Sequence, residues 1–272
     1  MGRTGARALR IALAFSFLTA LTQIGGVAYL VGRWLARRGG VTRHFARLAI
    51  FLLLYASAGI AATFAAPFFG RVPLSCFGDD SLQIQSPFYC ALNRNFVTLG
   101  AKRAAEALSA AVALEFPGTV TLVLDANFPF LDGFPLLPHL SHDDGRKLDI
   151  AFYYREQEGR PVNGAARSPV GYFAFEEPAP TASLPCAERD DLLTLRWNMR
   201  FLQGVFPAWM LDEARTGSAL RWLALEGPEF GVERIFIEPH LAERLGVSHQ
   251  NVRFQGCRAA RHDDHIHFQV TE

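Results

Sequence analysis

The sequence predicts an α+β domain, a small antiparallel sheet flanked by helices, carried on two N-terminal transmembrane helices. Two observations lead there. Two long apolar stretches fill the first seventy residues, and behind them helix-like and strand-like segments alternate irregularly, without a βαβ rhythm. At roughly 100–200 residues per domain, 272 residues allow one or two domains. The reading divides the chain into an anchor over 1–72, a linker over 73–95 and a folded domain over 96–272.

The anchor comes from length and polarity. Residues 11–35 (IALAFSFLTALTQIGGVAYLVGRWL) and 48–70 (LAIFLLLYASAGIAATFAAPFFG) are almost free of charge. A bilayer core of about 30 Å needs about 20 apolar residues in a helix, so both qualify. A cleaved signal peptide is the alternative for the first, because Arg3, Arg7 and Arg10 form a basic start. Its apolar run exceeds the roughly 7–15 residues of such a leader. Gln23 and the Gly25-Gly26 pair within it suit helix packing. The connector carries Arg33, Arg37, Arg38, Arg43 and Arg47. Basic loops stay in the cytoplasm, so the expectation is a cytoplasmic (inner) membrane protein with both termini, and the folded domain, on the periplasmic side. The lipid bilayer is then one partner. Nucleic acid is not: the formal net charge is +1, and no basic stripe interleaved with aromatics follows residue 72.

The cysteines fit an oxidising compartment. Cys76, Cys90, Cys186 and Cys257 all follow the second span, and four cysteines allow three pairings. Cys76 with Cys90 is the simplest, leaving Cys186 with Cys257; four buried free thiols are the alternative. No CxxC occurs, which argues against a cysteine metal site.

Within the domain, alanine and leucine mark a helix over 96–116, ended by Pro117-Gly118. The β-branched run 119–124 reads as a buried strand. Residues 125–141, with three prolines and Gly133, form a long loop, and loops of that length are usually functional or disordered. Strands are expected over 147–154 and 170–175, helices over 190–203 and 211–225, a strand over 233–237, a short helix over 239–245, and strands over 252–255 and 265–270.

The histidines carry the chemistry. Five of eight fall into two clusters: His139-Leu-Ser-His142-Asp-Asp-Gly145-Arg-Lys-Leu-Asp149 and His262-Asp-Asp-His265-Ile-His267. His44, His240 and His249 are scattered and read as surface or packing residues. His142, at a loop end, and Asp149, early in a strand, face one point if the chain turns back at Gly145. His265 and His267 are two apart in a strand and share a face. Zinc takes imidazole and carboxylate ligands and, for catalysis, keeps one position open. A polar surface is the bland alternative, and one HxH alone would leave it standing. A distant HxH combined with H-x6-D is far less common.

These motifs resemble the penicillin-insensitive murein endopeptidases, within the group that includes lysostaphin-type enzymes, D-Ala-D-Ala peptidases and the hedgehog fold. The resemblance covers about residues 97–272 and includes the histidine three before the first ligand and the H-x-x-H-x-H cluster. It implies a zinc (Zn2+) metallopeptidase acting on peptidoglycan peptide. The implied ligands are His142, Asp149 and His267, with His139 a further ligand or a partner of one; His262 and His265 are implied as catalytic. One departure concerns the strand before the first ligand. Many relatives carry a Ser-x-x-Arg element there, and here that strand leads into Asp125-Ala-Asn127-Phe128. Arg146 and Lys147 are candidates to bind substrate carboxylate instead, and Asp263 and Asp264 to orient the histidines. Two alternatives accompany the endopeptidase: a D,D-carboxypeptidase of the same group, and a non-catalytic scaffold that binds zinc or wall peptide.

Overall fold

The computed structural model describes residues 3–77, 81–137, 139–182, 185–186, 189, 196–197 and 199–271. In chain order these form α1 (Arg3–Thr22), α2 (Gly25–Arg38), α3 (His44–Ala65), β1 (Val72–Pro73), β2 (Leu82–Ile84), α4 (Pro87–Ala91), β3 (Phe96–Val97), α5 (Leu99–Glu115), β4 (Thr121–Val123), β5 (Lys147–Ala151), β6 (Tyr154–Arg155), β7 (Pro161–Val162), α6 (Arg200–Gln203), β8 (Met210–Leu211), α7 (Glu213–Leu225), β9 (Val232–Phe236), α8 (Pro239–Arg244), β10 (Val252–Arg253) and β11 (His265–Val270). The fold is mixed α+β.

The first apolar stretch is not one helix. The chain breaks after Thr22, where Gln23 takes a φ of 65°, and returns as α2 against α1. Gly26 permits the approach, since a Cβ there would lie 2.0 Å from Thr19 Oγ1 and 2.7 Å from the Phe15 carbonyl. Two helical stretches, Thr4–Thr22 and His44–Phe69, are long and apolar enough to cross a membrane. At 14 residues and about 1.5 Å per residue, α2 is shorter. The start of α1, the end of α2 and the start of α3 all line one cavity. The N-terminus therefore lies at the same end as the connector, not at the opposite end as the charge pattern alone predicts.

The opposite end of this helical unit rests on the folded domain. Asn93 Nδ2 donates to the Tyr55 hydroxyl at 2.9 Å, and the Phe130 N–H donates to Gln23 Oε1 at 3.0 Å. Beyond α3, Arg71 pairs with Asp132. The segment read as a linker is folded too. β2 is an edge strand of the main sheet, the Cys76–Cys90 bridge closes the segment on itself, and Leu74, Ile84 and Tyr89 enter the core.

The main sheet runs β10-β9-β11-β5-β4-β2. Its central pairs are antiparallel, as expected, but both edges, β10 on β9 and β2 on β4, are parallel. α5 and α7 pack together and against this sheet. α5 begins at Thr98, whose side chain accepts the Ala101 N–H, and α7 at Asp212, which accepts that of Arg215. Ala101, Ala104, Ala105, Leu108 and Val112 form the buried face of α5, at the i, i+3, i+4, i+7 spacing of one helix face.

Two expectations change. Residues 170–175 are not a strand: the backbone turns through positive φ at Gly171 (82°) and Phe173 (72°). That turn, unavailable to an extended strand, buries Tyr172 against β5. Of the helix expected over 190–203, residues 190–195 and 198 lie outside the described residues, and the helical part is Arg200–Gln203. Both disulfides have the expected simple pairing, Cys76–Cys90 and Cys186–Cys257.

Gly145 has a φ of 78°, and a Cβ there would lie 2.3 Å from Arg71 Nε. Gly145→Ala is expected to cost about 1–3 kcal/mol in backbone strain and to displace Arg71. Thermal unfolding of the full chain in detergent reads this as a lower midpoint; an unchanged midpoint would show that the turn is not under this constraint.

Candidate metal centre

The site begins with two residues facing each other across neighbouring strands. In the β5–β11 register His267 lies opposite Asp149, and its Nδ1 is 2.8 Å from Asp149 Oδ1. His142 reaches the same point from the loop before β5. Its Nδ1–H donates to the Ala126 carbonyl at 3.0 Å, which leaves the lone pair on Nε2. That atom is 3.2 Å from both Asp149 Oδ1 and His267 Nδ1. All three residues are buried, and their ligand atoms lie within 4.8 Å of one another.

This donor set can hold a metal ion. Ligand atoms about 2.0–2.2 Å from a tetrahedral zinc are roughly 3.3–3.6 Å apart. The separations of 2.8–3.2 Å need only a small outward shift to match. The supporting contacts suit the same purpose. The Tyr172 hydroxyl donates to Asp149 Oδ2 at 2.6 Å, so the carboxylate presents Oδ1 to the imidazoles. The Gln269 amide lies 3.2 Å from His267 Nε2. Because an amide offers a donor or an acceptor by rotation, Gln269 serves either tautomer of that ring.

The other cluster residues gather around this point. His265 shares the β11 face of His267, with Nε2 3.6 Å from Asp149 Oδ1. Its Nδ1 bonds to Asp264 Oδ1, and Asp264 is itself held by the Phe173 N–H at 2.5 Å. The His262 ring centre is 4.9 Å from that of His265 and 5.6 Å from that of His267. The His262 backbone N–H donates to Glu238 at 3.2 Å, and Arg196 holds that carboxylate at 2.9 and 2.7 Å. His139 stands apart from the three-residue donor group, with Nδ1 3.2 Å from Asp125 Oδ2 and 3.6 Å from Asp149 Oδ2. Asp125 is in turn bound by Arg94, whose Nε donates to it at 2.9 Å.

The paired acids and bases divide differently from expectation. Asp264 orients His265, whereas Asp263 is bonded by Arg261, from Nε, at 3.0 Å. Lys147 does not reach into the site; its Nζ donates to Asp143 and Asp144 at 3.0 and 2.8 Å. Beside His139, Tyr172 and His265 a cleft opens, walled by Phe173, Phe175 and Trp197. Arg261 lies along it, its guanidinium 3.9 Å above the Phe175 ring. The scattered histidines stay outside: His240 is buried against the Glu176 carbonyl, and His249 bonds to Asn251.

Burial and the carboxylates together set the charge of each ring. For His142, burial opposes the charged form, but the adjacent Asp149 outweighs it and the pKa rises. His265 is likewise buried, yet Asp149 and Asp264 lift it to about 9. For His267 burial prevails and the pKa falls to about 4. His262 goes well below its ordinary value through burial and then the charges of His265 and His267. Asp149 is also buried, which would raise it, but His142 and His265 hold it well below the carboxylate range.

Sequence reasoning missed Tyr172, Gln269 and the Arg94–Asp125 pair. A tyrosine directly after a glycine in an apolar run is a weak signal for an inward turn, and Gln269 was visible as the next residue on the His265–His267 face. Arg94 had no signal, because its partner lies 31 residues away.

The chain matches no protein-family model, and no curated protein matches it.

A cation at this point competes with protonation of His142, which the neighbouring Asp149 favours against the ring's burial. Because that pKa is raised, zinc affinity is expected to weaken as pH falls, by about tenfold per unit once the proton is bound. Titration with a competing chelator at several pH values measures it, and a pH-independent affinity would exclude His142 as a ligand. Gln269→Leu is expected to lower metal affinity by about 10–100-fold, the usual effect of losing a ligand's hydrogen-bond partner.

Proposed function

We propose that the protein is a membrane-anchored zinc metallopeptidase that hydrolyses peptide amide bonds of peptidoglycan, as a murein endopeptidase does. The observation that carries this reading is the meeting of His142, Asp149 and His267 beside His265 and His262, on the edge of an aromatic-walled cleft. The likeness of both histidine motifs to the murein endopeptidases supports the substrate class.

Zinc bound by His142, Asp149 and His267 would supply Lewis acidity and acidify water in the cleft. The protein's own groups then divide the proton transfers. His265 Nε2 faces the donor group while its Nδ1 is fixed by Asp264. That orientation lets Nε2 take a proton from the attacking water and return it to the leaving amine. Asp149 and then Asp264 raise the ring's pKa against its burial, and a cation held by Asp149 would weaken that pull. His262, kept neutral, is placed to donate to the developing oxyanion. Phe173, Phe175 and Trp197 exclude water and hold the peptide chain.

The same reading places the protein in the cytoplasmic membrane. The end of the helical unit carrying the arginines faces the cytoplasm, and the metal centre faces the periplasm, where disulfides persist and peptidoglycan lies.

The full chain in detergent, loaded with zinc, is expected to cleave cross-linked muropeptides and to lose that activity to a chelator. His267→Ala should lose metal and turnover together. His265→Ala should keep metal and lose about 10²–10⁴-fold in kcat. Mass analysis of the products distinguishes endopeptidase from D,D-carboxypeptidase cleavage. Full zinc content and full turnover in His267→Ala would overturn the assignment, and zinc binding without hydrolysis of any wall peptide would leave a scaffold.

A further inference from the structure

The cavity at the N-terminal end of the helical unit is unlike the metal cleft in every respect. Arg7 and Arg10 from α1, Arg33 and Arg37 from α2 and Arg47 from α3 all line it. No aspartate or glutamate occurs in the chain before Asp79, so the unit contains no carboxylate to balance them. Arg33 donates to the Tyr29 hydroxyl at 3.4 Å and Arg47 to the Val41 carbonyl at 2.8 Å; neither partner carries charge. Among the described residues the side chains of Arg7, Arg10 and Arg37 have no hydrogen-bond or ion-pair partner.

Five like charges around one space at the edge of a low-dielectric slab repel one another, and an anion at their centre relieves this. The remaining walls indicate which anion. Ile11, Leu48 and Phe51 line the same cavity, so it is basic and apolar at once, which suits an amphiphile better than a free ion. Its volume of about 590 Å³ lies within the roughly 300–1,000 Å³ of a small-molecule pocket. It has room for a phosphate headgroup and the start of its acyl chains. Basic pockets between membrane helices on the cytoplasmic side are a known way to hold anionic headgroups.

We propose that this cavity is a binding site for an anionic phospholipid, its phosphate among Arg7, Arg10, Arg33, Arg37 and Arg47 and its first methylenes against Ile11, Leu48 and Phe51. The site is independent of the peptidase reading and rests on the helical unit lying in a bilayer. A lipid there joins α1, α2 and α3 at the end opposite their contact with the folded domain, and so stabilises the helical unit as a whole.

The test uses the full chain in detergent. Native mass spectrometry and thermal unfolding are read with added phosphatidylglycerol, with phosphatidylcholine and with inorganic phosphate alone. Phosphatidylglycerol is expected to stay bound and to raise the unfolding midpoint, and phosphatidylcholine to do neither. Removing charge one residue at a time, as Arg10→Gln and Arg37→Gln, should weaken retention by about fivefold per arginine, the factor corresponding to ~1 kcal/mol for each basic residue near a lipid surface. Arg37→Lys keeps the charge and should keep most of the retention, which separates lost binding from failed insertion. Equal retention of the two lipids would overturn the proposal, as would unchanged retention in both glutamine variants. A stabilisation by inorganic phosphate equal to that by phosphatidylglycerol would overturn the lipid assignment.

Discussion

Asp149 and His267 meet because β5 and β11 pair antiparallel in one register, and the rest of the site is arranged around that pair. The side-chain period of a strand is two, so a slip of one residue would turn either side chain to the opposite face of the sheet. Alternation of apolar with polar side chains along both buried strands guards against it. Leu148 and Ile150 on β5, with Ile266 and Phe268 on β11, are fully buried in the core, and slipping either strand would expose or misplace them. Hydrophobic packing thus sets the position of a polar pair that would not hold itself together unaided, since burying a carboxylate among imidazoles is costly without compensating partners.

The third member, His142, depends on a loop rather than a strand, and that loop is held from several directions. The Asn127 side chain accepts the Gly145 N–H at 3.0 Å and donates to the Lys147 carbonyl at 3.1 Å. Arg94 binds Asp125 and also donates to the Leu137 carbonyl at 2.8 Å. Two further ties come from the helical unit: Gln23 accepts the Phe130 N–H, and Arg71, just beyond α3, pairs with Asp132 and packs on Gly145. The helical unit is therefore more than a neighbour of the folded domain. It contributes side chains to the segment that positions His142, which couples the geometry of the site to the packing of the helical unit.

Charge is handled in opposite ways at the two ends of the molecule. At the candidate metal centre each buried ring has a carboxylate or another ring beside it, and the balance of burial and Coulomb attraction shifts chemically identical side chains in different directions. His265 and His267, two residues apart, lie on opposite sides of the ordinary histidine value for this reason. At the far end the arginines have no carboxylate within their own unit.

The sequence by itself determined the elements whose signals are local. Alanine and leucine ended by Pro117-Gly118 mark α5, β-branched residues mark β4, and alternating histidines mark β11. It also singled out His139, His142, Asp149, His262, His265 and His267, because metal-binding residue types at strand and loop spacing are legible without a fold. Only the tertiary structure decided which of them meet: three donor atoms in one group, His139 turned toward Asp125, and Tyr172 inserted by a turn that a strand-like pattern concealed. It likewise decided that the first apolar stretch doubles back and that residues 73–95 belong to the domain. Hydropathy measures whether a segment avoids water, not which way its backbone turns. A reversal at Gln23, a parallel edge strand and an arginine reaching an aspartate 31 residues away are set by contacts between distant parts of the chain.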